Sequence, residues 1–195
     1  MDLTVVVPAP LQAVSADSVG IAAMTVESIF QNAGWDLRIN YQTIIQQQPD
    51  GVIYDRNFSI RINLINAGQL IAFANSLIGT PRRRYVVVLC EKIVEAENAR
   101  TGWSDDSGTN GATATGQAVS FVSLIAAKRT IGNSDGQTWA HEIGHGLGLD
   151  HVAGENNLMY LSRRDTGNLL VGSELTGAQV AIMGAAAQAL ATTGL

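Results

Sequence analysis

Residues 141–151 read His-Glu-Ile-Gly-His-Gly-Leu-Gly-Leu-Asp-His, and they hold every histidine of the chain. The spacing dictates a local structure. Residues four apart lie one turn above each other on a single helix face, so His141 and His145 can aim two imidazoles at one point. Gly148 follows three residues later. Glycine tolerates the left-handed conformation that ends helices, so the helix is expected to stop there. The turn lets His151, on the next segment, swing back toward the first two. Three neutral imidazole nitrogens leave a fourth tetrahedral position open, which is the arrangement of a catalytic rather than a structural zinc site. Imidazole also suits copper, nickel and iron; zinc is the expected ion, and one ion is expected.

Glu142 follows the first ligand and is not needed as a ligand itself. From the same helix it can take a proton from a metal-activated water, whose pKa zinc brings down to about 7. The plain alternative is an amphipathic helix with two satisfied histidines. Gly148 and His151 weigh against it, because such a helix needs neither.

The same residues resemble the metzincin clan of zinc endopeptidases. The extended pattern is followed by Asn157-Leu158-Met159-Tyr160, and the wording around residues 147–151 and 158–160 is most similar to matrixins. The resemblance covers residues 138–160. It implies that Met159 lies in a methionine-containing turn beneath the ligands as an apolar floor; taken alone, Met159 reads as a core methionine. It also implies hydrolysis of peptide bonds within a peptide or protein substrate, and a secreted, extracellular protein. Three features depart from the pattern. Where some members carry a tyrosine two residues after the methionine, this chain has Leu161, so Tyr160 is not assigned to the metal. No histidine remains for a second, structural zinc. No pro-segment with a blocking cysteine is recognisable.

Composition narrows the class. The 195 residues are 46% hydrophobic and 15% charged, with a net charge of −5. That suits a single domain over residues 1–195, which at this size can bury roughly 70% of its unfolded surface. The acidic balance argues against nucleic acid as partner. Arg82-Arg83-Arg84 is the one basic cluster, read as a solvated turn before a strand. Cys90 is the only cysteine, so no intramolecular disulfide forms, and burial is its expected role. No signal peptide is visible and no run is suited to a membrane span. A monomer is expected.

Along the chain, residues 3–7 read as a strand stopped by Pro8 and Pro10. Residues 17–33 read as a helix, capped by Asp17 or Ser15 and ended by Gly34. Residues 35–45 and 58–65 read as strands, 68–78 as a helix, and 85–89 as a strand buried on both faces. Residues 101–117 are rich in Gly, Ser, Thr, Asn and Asp and read as a long loop. Asp105, Asp106 and Asn110 there could offer oxygens to a Ca2+ ion, although the spacing fits no calcium pattern and a solvated loop is preferred. Residues 118–125 read as a strand at the edge above a cleft. Ser134 or Asp135 would cap the active-site helix, and Thr176-Gly177-Ala178-Gln179 has the form of a capping box opening a last helix.

This order is α/β (α+β), and the resemblance implies a metzincin-like fold. A twisted, mixed five-stranded sheet carries two backing helices and the active-site helix in an upper subdomain of about 1–150. A small irregular lower subdomain of about 151–195 ends in a helix. An extended peptide can add to the sheet edge by backbone hydrogen bonds. The alternatives are a catalytically silent zinc-binding module, whose usual sign would be a lost base although Glu142 is present, and a zinc enzyme acting on something other than peptides. Gly144 and Gly146 each cost a helix roughly 0.5–1 kcal/mol relative to alanine, and close packing against the sheet or the methionine turn is the expected reason.

Overall fold

The computed structural model of this chain describes residues 1–61, 66–91, 93–94, 111–113, 115–123, 134–160 and 172–195. Strand β1 (Asp2–Pro8) leads through a short 3-10 turn at Ala9–Leu11 into helix α1 (Gln12–Asn32). Strands β2 (Asn40–Gln46) and β3 (Ile60–Arg61) follow, then helix α2 (Ala67–Ile78). Next come strands β4 (Tyr85–Cys90), β5 (Ile93–Val94), β6 (Gly111–Thr113) and β7 (Val119–Ser123). Helix α3 (Ser134–Gly146) carries His141 and His145, and helix α4 (Gly177–Thr192) comes last.

Five strands form one mixed sheet in the order β2-β1-β4-β7-β6. The first four run parallel, and β6 is antiparallel to β7. Strand β4 sits in the middle because all six of its residues are apolar enough to be buried on both faces, as a parallel strand between helical layers requires. Side-chain alternation then splits the core in two. Leu3, Val5, Val7, Tyr85, Val87 and Leu89 join a cluster with α1 and α3. Val6, Val86, Val88, Cys90, Val119 and Phe121 join another with Leu70 and Ala74 of α2. The two helices expected behind the sheet therefore lie on opposite faces, and α3 shares a face with α1. Contact between α1 and α3 is close: a Cβ added at Gly136 would stand 2.2 Å from the Cβ of Thr25.

The helix ends follow the sequence signals. Gly34 at φ +89° ends α1, with its N–H donating to Gln31 O and that of Trp35 to Phe30 O. The rings of Phe30 and Trp35 pack at 5.4 Å across this turn, the apolar contact that accompanies such caps. At the start of α4, Thr176 and Gln179 form the reciprocal capping box. Gln179 is buried, and its amide also exchanges hydrogen bonds with Asn157 at 3.0 and 3.2 Å. Replacing Gln179 by alanine removes the cap partner and strands a polar group, so a loss of about 1–3 kcal/mol is expected in urea unfolding.

Several expectations are corrected. The sheet edge is β6, not the strand at 118–125: β7 is covered on that side by three residues from the segment read as loop. Residues 35–39 are not strand. The turn after Gly34 occupies them, and the Glu27 carboxylate accepts the Ile39 N–H that a ladder would otherwise use. Helix α1 begins at Gln12, ahead of Ser15 and Asp17, and no side chain caps it. Arg82 is not solvated but 1% exposed, its guanidinium donating to Gln117 O. Cys90 is buried as expected. Asp105, Asp106 and Asn110 lie outside the described residues, as does Leu161. No helix among the described residues is long and apolar enough to cross a membrane.

Candidate metal centre

Helix α3 delivers His141 and His145 from one face, one turn apart. Its end is built by glycine. Gly148 has φ +96°, its N–H donates to His145 O, and the Leu149 N–H reaches back to Gly144 O at 2.9 Å. This pair of bonds is the Schellman arrangement, which needs a residue in the left-handed region. The last carbonyls are also met from the sheet. In the turn between β6 and β7, Gly116 N–H donates to His145 O and Ala118 N–H to Gly146 O, both at 2.9 Å. The chain reverses after Gly148 and brings His151 to the other two.

The three imidazoles converge. His145 Nε2 lies 3.1 Å from His141 Nε2 and 3.0 Å from His151 Nε2, and the three ligand atoms lie within 4.8 Å of one another. The outer nitrogens explain why the inner ones are bare. His141 Nδ1 lies 2.6 Å from Leu158 O, and His145 Nδ1 lies 2.7 Å from Leu149 O. A carbonyl only accepts, so each Nδ1 carries the proton and each Nε2 presents a lone pair. Lone pairs facing each other at this distance repel unless a cation stands between them. Ligands on a tetrahedral zinc, at 2.0–2.1 Å, stand about 3.3 Å apart, and carbonyls behind the outer nitrogens are the usual support for such ligands. The donor set fits zinc.

Burial favours the neutral form of His141 and His145. Desolvation brings the His141 imidazole down to about 4, against the pull of the Leu158 carbonyl, with His145 and His151 adding to the drop. It lowers His145 as well. His151 is exposed while the other two are half-buried, so the site opens toward solvent on that side.

Glu142 points elsewhere than the histidines in one respect: one carboxylate oxygen, Oε2, is bonded by the hydroxyl of Thr113 on β6. Burial pushes its carboxyl up to about 7, with the Thr113 hydrogen bond pulling the other way. Beneath the helix, Met159 is fully buried. A Cβ added at Gly144 would meet its sulfur at 2.6 Å, and one added at Gly146 would meet the Tyr85 hydroxyl at 1.9 Å. These contacts account for both glycines: α3 sits against residue 159 on one side and the sheet on the other. Residues 157–160 form a turn closed by Tyr160 N–H to Asn157 O, and Asn157 Oδ1 accepts the Met159 N–H. Val152 N–H donates to Met159 O, so the segment carrying His151 lies along this turn.

Sequence reasoning brought together His141, Glu142, His145, Gly148, His151 and Met159, and the structure places all six in one region. It missed Thr113, Ser120 and Tyr85, whose hydroxyls lie against Glu142. The signal was present in Thr115-Gly116, turn residues just ahead of a strand, which can mark a hairpin.

No known family profile and no curated protein matches the sequence. Solved structures do match in fold. Archaemetzincin from Methanopyrus kandleri superposes with a TM-score of 0.57 at 14% identity, covering 96% of each chain. Archaemetzincin from Archaeoglobus fulgidus gives 0.55 at 13% identity, over 93% of this chain and 99% of that one. A zinc-dependent peptidase from Methanocorpusculum labreanum gives 0.59 at 12% identity, over 94% and 100%. The chain thus has a zinc metallopeptidase fold, and its three histidines form a group able to hold the metal.

Proposed function

We propose that this chain is a zinc-dependent endopeptidase of metzincin type, with His141, His145 and His151 as ligands and Glu142 as general base. The observation that carries the reading is the convergence of three imidazoles, with His145 Nε2 3.1 Å from His141 Nε2 and 3.0 Å from His151 Nε2, next to a carboxylate on the same helix. The likeness to zinc-dependent peptidases supports it. When bound there, zinc would act as a Lewis acid toward the scissile carbonyl and acidify a water. Glu142 takes the proton from that water and hands it to the departing amine. Strand β6, the sheet edge among the described residues, would offer its free side to an extended peptide. In this reading the turn at 157–160 is the methionine turn under the ligands, residues 1–150 and 151–195 are the two halves flanking the cleft, and the protein works outside the cell as a monomer.

The test is cleavage of a diverse peptide library, read by mass spectrometry, with zinc-loaded and chelator-treated protein. Internal cuts that vanish on chelation support an endopeptidase and report its preference. Cuts only at chain ends, or none from protein holding zinc, would overturn it.

Metal binding has its own expected result. Free zinc at about 100 times its dissociation constant stabilises the native state by about 2.7 kcal/mol, which for a chain of this size is roughly 5–10 °C in Tm. Differential scanning fluorimetry should show this rise in the chelator-stripped protein. His151→Ala should abolish most of it, because two ligands hold the ion far less tightly than three.

A further inference from the structure

A line of buried hydroxyls ends on the Glu142 carboxylate. Tyr85 on β4 bonds Ser120 on β7, Ser120 Oγ lies 2.9 Å from Thr113 Oγ1 on β6, and Thr113 bonds Glu142 Oε2. Proton accounting sets the direction. An ionised carboxylate only accepts, so the Thr113 proton goes to Oε2. The hydroxyls of Ser120 and Tyr85 each lie 3.1 Å from the Glu142 backbone carbonyl, an acceptor that closes the cluster. Buried hydrogen bonds in such a cluster polarise one another. Ser120 and Tyr85 are fully buried. Their neighbours on the same strands, Val87, Leu89 and Val122, face the same cluster as plain hydrocarbon. The hydroxyls at 85, 113 and 120 all lie within 3.2 Å of the Glu142 backbone carbonyl, and only that of Thr113 also reaches the carboxylate. Among the described residues, no hydrogen bond is made to the other carboxylate oxygen, Oε1.

We propose that Thr113 is a positioning residue for the general base: its hydroxyl, backed by Ser120 and Tyr85, fixes Oε2 and leaves Oε1 to handle the proton of the attacking water. The proposal rests on the reading of Glu142 as general base. It also makes β6 both the sheet edge and the element that orients the base.

The test compares wild type, Thr113→Val and Thr113→Ser. Valine keeps the branched shape without the hydroxyl; serine keeps the hydroxyl. Steady-state kinetics are measured on a peptide that the zinc-loaded wild type cleaves, together with zinc content and Tm. In parallel, the side-chain carboxyl carbon of Glu142 is followed by 13C NMR in the metal-free protein, assigned with Glu142→Gln. Thr113→Val should lower kcat roughly 10–100-fold, the usual effect of losing such a support, with KM within about twofold and zinc content unchanged. Thr113→Ser should recover kcat to within about threefold. The carboxyl resonance should move in the valine variant and stay near its wild-type position in the serine variant. An unchanged kcat and resonance in Thr113→Val overturns the proposal, as does a serine variant as impaired as valine. If valine prevents folding, Thr113→Ala is read in the same way. If wild type cleaves no peptide, the peptidase reading fails, and the resonance alone decides whether Thr113 holds the carboxylate.

Discussion

Glu142→Ala should bind zinc in the same ratio as wild type and cleave peptides at least about 10²–10⁴ times more slowly, the range expected when a general base is lost. The separation of the two effects follows from the geometry. The three Nε2 atoms are set by His141, His145 and His151, and two of these rings are held by the carbonyls of Leu158 and Leu149. None of that support passes through the Glu142 side chain. The fold should not suffer either. Burial already works against the charged carboxylate, so removing it relieves desolvation while freeing only the Thr113 hydroxyl. Zinc content by mass spectrometry of the metal, with turnover on the same sample, measures both halves. Retained turnover in protein shown to hold zinc would remove Glu142 from the mechanism.

Gly146→Ala should destabilise the fold strongly. The new Cβ would stand 1.9 Å from the Tyr85 hydroxyl and 2.6 Å from the ring carbon that bears it. Tyr85 cannot retreat, being fully buried and bonded to Ser120 and to Glu142 O at 3.1 Å. Alanine is normally the better helix former by roughly 0.5–1 kcal/mol, but overpacking costs about 1–3 kcal/mol or more. The clash decides the sign, and a drop in Tm of roughly 2–12 °C is expected. Gly184 is the control. It lies within α4, and nothing stands within 4 Å of its added Cβ. Gly184→Ala should raise stability by roughly 0.5–1 kcal/mol. Equal thermal shifts for the two variants would refute the packing account of Gly146.

The parts of the fold that were legible are those with local causes. The pattern at 141–151 contains its own helix, its own stop and its own ligands. The capping box at Thr176 and Gln179 appears where the sequence writes it, and the apolar run at 85–89 is the middle of the sheet. What escaped was decided by partners distant in the chain. Strand β6 is three residues long and made of Gly, Ala and Thr, so it has no periodicity to detect; it is a strand because β7 offers it an edge. Arg82 reads as surface in a run of three arginines, yet its backbone pairs with Leu195 and its guanidinium reaches the carbonyl of Gln117. The site itself divides the same way. Ligands and base are legible, whereas the hydroxyls of Tyr85, Ser120 and Thr113 come from three separate strands and meet only through the sheet register.

In the written pattern His-Glu-x-x-His, the positions marked x look free. Gly144 shows that they are not. Its missing side chain is where the Met159 sulfur lies, 2.6 Å from the Cβ that an alanine would bring. Residues 144 and 159 therefore share one fixed volume between helix and turn. In any chain built this way, a larger residue at the first position demands a shorter one at the second, and the two should change together or not at all.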